Sequence, residues 1–223
     1  MCNNAGPEDY KAIIDKTVGF VKEHLKDAEG GHDWHHIERV WKNALHIAEK
    51  ECTGNILIIE LGALLHDIAD AKFNNGDETL GPRIAGEFMH SLGLSESITV
   101  PVIEIIENIS FRKQNKHNTP GSEELKIVQD ADRLDALGAI GIARAFNYGG
   151  FKNRPLYETT ELSGNGINTT VGKGNHTIGH FYEKLLLLKG LMNTRTGKAM
   201  AEERHAYMVN FLDEFFKEWE GER

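Results

Sequence analysis

Cysteine is nearly missing from this sequence: only Cys2 and Cys52 occur among 223 residues. Two thiols exclude a disulfide framework and a zinc site built from several cysteines. Net positive charge is missing too, because 34 Asp and Glu outnumber 25 Lys and Arg and leave a formal net charge of −9. Such an acidic balance argues against nucleic acid as the main partner.

Long hydrophobic runs are also absent. The longest apolar stretch, from Ile56 to Leu65, contains Glu60 and is too short to span a bilayer. The first residues have neither the charged region nor the apolar region of a signal peptide. We therefore expect no membrane association and a reducing, cytoplasmic location.

Alternating apolar and polar residues, the pattern of a β-strand, are not found between turn signals. Apolar residues instead recur at helical spacing, and Asp33 is a plausible N-cap. The pattern predicts an all-α fold with a single domain over residues 1–223. Among its helices we expect one long helix over about 122–146 and closing helices within 178–221.

The stretch 147–175 is the exception to helical spacing, with six glycines and few apolar residues. A connection of this length inside a compact domain is typically a lid, a binding loop or a disordered segment. Its side chains Lys152, Arg154, Tyr157 and Lys173 offer groups that bind phosphate or stack on rings. We expect a Gly-rich insertion loop that is either a mobile surface insertion or a lid.

What the sequence does contain is histidine, with eleven residues against two cysteines. Any bound metal must therefore be held by imidazole and carboxylate. A His-Asp dipeptide alone is weak evidence, but His66-Asp67 directly follows Leu64 and Leu65, which should be buried. A charged Asp beside buried leucines is costly unless a partner such as a divalent cation compensates it.

Four segments concentrate chemically active side chains: 32–40, 64–73, 108–113 and 128–136. Their order resembles the HD-domain superfamily of metal-dependent phosphohydrolases, in which a His, a His-Asp pair and a later Asp follow one another on successive helices. His36 in HIERV matches the first ligand, with His35 as its rival. His66 and Asp67 match the pair, and Asp132 in DADRLDA matches the last ligand, with Asp130 as runner-up.

This resemblance covers 32–135 as the core, and it extends over most of the chain to a bacterial subgroup with similar HDWxH, LLHDIxDAKF and DADRLDAxGAIGIARAF motifs. It implies an HD-domain helical bundle and metal-dependent hydrolysis of a nucleotide or another small phosphate ester. Two imidazoles and two carboxylates suit Mn²⁺, Mg²⁺, Co²⁺, Ni²⁺ or Fe²⁺. Such an ion activates water and polarises the phosphoryl group, which then needs cationic partners.

The remaining candidates are assigned by their distance from the ligands along the chain. Asp67, Asp70 and Lys72 are the predicted catalytic residues, with Asp70 one helical turn after Asp67. The predicted substrate contacts are His32, Arg39, Arg112, Lys113 and Arg133. Asp70 could instead be an ordinary surface carboxylate. Arg39 could instead form a plain salt bridge.

Two other functions are compatible with parts of the pattern. A non-catalytic HD module could bind metal and nucleotide in a sensing or structural role without turnover. A di-iron oxygenase would need more His ligands before the last Asp, where only His90 and His117 lie. The sequence does not decide whether phosphate or pyrophosphate is released. It also leaves open which metal is bound and whether the protein forms a homodimer.

Overall fold

A computed structural model describes residues 7–26, 33–69, 77–109, 121–158 and 175–222 of the chain. Within these ranges all the regular structure is helical, which confirms the all-α prediction. The chain divides into two compact units, Met1–Asp132 and Arg133–Arg223. No helix in the described ranges combines the length and the apolar character that crossing a membrane requires.

The first unit is built around one central helix. Its elements are α1 (Pro7–His24), α2 (Trp34–Glu51), α3 (Ile56–Leu65), α4 (Leu80–Ser91), α5 (Glu96–Asn108) and most of α6 (Glu123–Asp135). Helix α3 packs against α1, α2 and α5. Every residue of α3 from Ile58 to Leu65 is buried, because a helix that is apolar on all sides is stable only when neighbours cover it.

The boundaries of α2 and α3 follow from local chemistry. Asp33 caps α2, since its side chain accepts a hydrogen bond of 3.0 Å from the backbone N–H of His36. Cys52 ends the helix in the left-handed conformation, with φ of 53°. Asn55 then caps α3 by accepting from the N–H of Leu57. This short connection makes α2 and α3 neighbours in the core.

The second unit holds the end of α6, then α7 (Gly138–Phe151), α8 (Thr177–Glu183), a 3₁₀ helix (Leu185–Leu191) and α9 (Arg195–Trp219). Aromatic rings pack against one another in this unit, and Phe211 on α9 lies 5.9 Å from Phe146 and 6.1 Å from Phe181 between ring centroids. The buried carboxylate of Asp135 accepts a hydrogen bond of 2.8 Å from Arg144 and ties the end of α6 to α7.

Two expectations about helix boundaries were wrong. The predicted helix over 122–146 is two helices, because Leu137 is extended and Gly138 adopts a positive φ of 72°. The predicted loop over 147–175 begins later, since α7 continues to Phe151. After α7, the backbone N–H groups of Thr177 and Ile178 donate to the carbonyls of Pro155 and Leu156. Residues 159–174, including Lys173, lie outside the described ranges.

Candidate metal centre

The candidate site lies in the first unit, where the start of α2 and the end of α3 meet. Ligating atoms of His36, His66 and Asp67 lie within 4.8 Å of one another. The rings of the two histidines contact edge to face, with 5.4 Å between their centroids. Because His36 opens α2 and His66 follows the last residue of α3, both rings are placed by rigid helices.

A fourth group comes from α6. The Oδ1 atom of Asp132 lies 3.5 Å from His36 Nε2 and 3.9 Å from His66 Nε2. The structure therefore places all four residues of the predicted ligand set close together. The two rings are 2% and 3% exposed, whereas the Asp132 side chain is 37% exposed. The cluster therefore opens to solvent at the carboxylate of Asp132.

The hydrogen bonds of His66 decide which ring nitrogen faces the cluster. Its Nδ1 lies 2.8 Å from the carbonyl oxygen of Ala63, and a carbonyl can only accept, so Nδ1 carries the proton. In the neutral ring Nε2 is then a bare lone pair. This buried atom has no hydrogen-bond partner in the described part of the chain.

An unpartnered buried lone pair costs free energy unless another group meets it. A divalent cation would do so, and a carbonyl bonded to the far nitrogen is the usual way in which a metal-binding imidazole is oriented. Two imidazoles with two carboxylates suit Mn²⁺, Fe²⁺, Co²⁺, Ni²⁺ or Mg²⁺. The residues present therefore fit a divalent metal ion.

Two of the alternative candidates, His35 and His90, are exposed and lie beside glutamates. His35 is 72% exposed and lies 3.9 Å from Glu38, so the start of α2 turns His36 and not its neighbour toward the cluster. Asp130 is fully buried. His90 is exposed and lies 3.4 Å from Glu96.

Among the predicted substrate contacts, Arg39 is half-buried on α2, one turn after His36. Arg133 is only 6% exposed, and its Nη1 donates a hydrogen bond of 2.6 Å to the carbonyl of Leu191. The others, His32, Arg112 and Lys113, lie outside the described residues, as do Asp70 and Lys72.

Sequence reasoning missed one polar group near the cluster. Glu60 is buried in the middle of α3, and its Oε1 accepts a hydrogen bond of 2.9 Å from Trp41 Nε1 on α2. Burial raises the pKa of this carboxyl to about 7. The sequence did contain a sign of this buried group, because Glu60 is the one charged residue in the otherwise apolar stretch from Ile56 to Leu65.

Comparisons of the sequence and of the structure with known proteins point to the same family. The HD domain family matches residues 33–137. YpgQ of Bacillus subtilis is 39% identical over 203 residues, which make up 91% of each protein. A crystal structure of an HD-superfamily hydrolase from Bacillus thuringiensis shares 44% identity at a TM-score of 0.75, covering 95% of this chain and 98% of that one. The structure of B. subtilis YpgQ in complex with ADP shares 35% identity at a TM-score of 0.77, covering 94% and 96%.

Proposed function

The chain belongs to the HD-domain family, and from that premise we propose that it is a metal-dependent phosphohydrolase acting on a nucleotide or a similar small phosphate ester. The observation that carries this proposal is the buried Nε2 of His66, which has no hydrogen-bond partner among the described residues and lies beside His36, Asp67 and Asp132. His36, His66, Asp67 and Asp132 would hold the ion.

When bound, the divalent ion lowers the pKa of a coordinated water and withdraws charge from the phosphoryl oxygens. The protein supplies the remaining steps. Asp70, three residues after Asp67 in the sequence, is proposed to orient the attacking water and accept its proton. The water oxygen forms the new bond to phosphorus, and the bond from phosphorus to the leaving group breaks. Asp132 borders the side of the cluster through which substrate would enter.

The transferred group carries negative charge that the protein must balance. Lys72, Arg112 and Lys113 are proposed to contact the phosphates, because they are the cationic side chains of the segments 64–73 and 108–113. Arg39 is a further candidate on α2, and His32 precedes its N-cap. Arg133 is assigned a different role, since its bond to the Leu191 carbonyl makes it an anchor for α6.

A nucleotide is the preferred substrate class because the relative YpgQ was crystallised with ADP. A molecule of that kind offers two types of phosphorus–oxygen bond, the ester to the sugar and the anhydride between phosphates. Hydrolysis at either is compatible with the same four metal ligands. The identity of the released product distinguishes them.

The test is a screen of nucleoside mono-, di- and triphosphates with Mn²⁺, Mg²⁺, Co²⁺, Ni²⁺ and Fe²⁺, measuring released phosphate and pyrophosphate separately. We expect Asp67→Ala to reduce kcat by at least about 100-fold. Asp15→Ala, which changes an exposed acid on α1, is the matched control and should retain full activity.

Equal turnover by wild type and Asp67→Ala would rule out the proposed reaction. Metal-dependent nucleotide binding without release of phosphate or pyrophosphate would instead support the non-catalytic sensing module.

A further inference from the structure

Trp41 and Glu60 form a polar link between α2 and α3 to which the proposed reaction assigns no role. The indole N–H of Trp41 donates to Oε1 of Glu60 over 2.9 Å. Glu60 is 5% exposed. It is also the only polar side chain in α3, whose sequence is ILIIELGALL. The rest of the contact that α3 makes with its neighbours is therefore apolar.

The position of this hydrogen bond relates it to the metal cluster. Moving back along α2 from Trp41 to His36, and forward along α3 from Glu60 to His66, leads to the same pair of rings. The two helices are therefore antiparallel here. At 1.5 Å per residue, the bond lies about 7.5 Å along α2 from His36 and about 9 Å along α3 from His66.

Apolar seams between helices specify their register weakly, because one apolar side chain can replace another as the contact shifts. A buried polar pair specifies register more sharply, since sliding breaks its hydrogen bond and leaves both groups unsatisfied. The distance between the rings of His36 and His66 depends on that register. One ring comes from each helix.

Burial of the Glu60 carboxyl costs folding free energy, so stability does not explain why a glutamate occupies this position. Its Oε2 has no hydrogen-bond partner in the described ranges, and burial raises the pKa of the carboxyl to about 7. A buried acid of this kind is usually less stable than an apolar side chain of similar volume.

We propose, on the premise of the metal site proposed above, that Trp41 and Glu60 are a positioning pair that sets the register of α2 on α3 and thereby the metal affinity of His36 and His66. The pair acts through the helices and touches neither metal nor substrate.

The test measures Co²⁺ binding by calorimetry and by the visible absorption of the bound ion, neither of which requires turnover. Glu60→Leu removes the acceptor and the buried charge together. We expect about tenfold weaker Co²⁺ binding, in the range found when groups that orient metal ligands are changed, with an unfolding midpoint at or above that of wild type. Glu60→Gln keeps an oxygen for Trp41 and should bind Co²⁺ within about twofold of wild type.

Trp41→Phe removes the donor from the other helix and should weaken Co²⁺ binding as Glu60→Leu does. The double variant should be no weaker than either single one, because both changes break the same bond. Trp219→Phe on α9, an exposed tryptophan, is the matched control. If Glu60→Leu does not fold, Trp41→Phe decides the question alone.

Unchanged Co²⁺ affinity and absorption in folded Glu60→Leu or Trp41→Phe would overturn the positioning role while leaving the proposed function intact. Absence of Co²⁺ binding by the wild-type protein would overturn the proposed function, and the positioning role with it.

Discussion

Glu60 is a residue whose proton is coupled to folding. Burial raises the pKa of its carboxyl from the ordinary 4.5 to about 7. Between these values the folded protein holds a proton that the unfolded chain has released. The Glu60 contribution to stability is therefore greatest below about pH 4.5 and declines as pH rises through 7.

Glu60→Gln removes this titration while keeping the acceptor for Trp41. The free energy of unfolding of the variant minus that of wild type should increase by about 1–3 kcal/mol from pH 5 to pH 8. The reason is that only wild type must bury a charge at the higher pH. Urea unfolding at both pH values measures the difference. A stability difference that is constant from pH 5 to pH 8 would show that Glu60 titrates normally.

His36 is a residue whose place in the site could be predicted from the sequence. The HIERV match and helical register favoured His36 over its neighbour His35, and the structure brings His36 to the cluster. Arg133 shows the limit, because a sequence does not reveal which carbonyl an arginine meets. Its bond goes to Leu191, 58 residues later.

The junction of α6 and α7 is the element that departs most from the expected helix. Leu137 is extended, and α7 starts with Gly138 at a positive φ that side chains rarely adopt. Within the first turn of α7, a Cβ on Gly141 would lie 2.3 Å from the carbonyl oxygen of Ala136. This close approach of the backbone at Ala136 leaves no room for a side chain at position 141.

Gly141→Ala should therefore destabilise the protein by about 1–3 kcal/mol, because backbone atoms must move to relieve the clash. Gly150 lies in the same helix, and a Cβ there meets nothing within 4 Å. Gly150→Ala is the matched control and should stabilise by about 0.5–1 kcal/mol, since alanine favours the helix. Thermal unfolding measures both, and equal shifts in the two variants would contradict the close contact.

At the scale of the whole molecule, the net charge of −9 is unevenly distributed. Residues 1–132 contain 23 Asp and Glu against 13 Lys and Arg, whereas residues 133–223 contain 11 against 12. The first unit, which contains the whole candidate metal centre, therefore carries the negative charge. A strongly negative unit attracts divalent cations, so the acidity of the chain agrees with the proposed cofactor.

Metal binding should stabilise the fold, because the four proposed ligands converge only in the folded first unit. At a free metal concentration 100 times the Kd, we expect about 2.7 kcal/mol of added stability and a Tm higher by several degrees. A chelator should reverse the shift. Scanning calorimetry with and without Mn²⁺ measures it.

Asp132→Ala should lose most of this Mn²⁺-dependent shift, whereas Asp213→Ala, an exposed acid on α9, should keep it. A shift of the same size in both variants would mean that Mn²⁺ stabilises the chain at another site.

The sequence by itself determined the helical class, and its resemblance to the HD-domain family singled out the four residues of the candidate centre. Both depend on local information, namely apolar spacing along the chain and short motifs around His36, His66, Asp67 and Asp132. Only the tertiary structure decided the break at Leu137 and Gly138, the anchoring of Arg133, and the meeting of Trp41 with Glu60. These features depend on which backbone or side chain from a distant segment lies opposite, and spacing along the chain does not encode that.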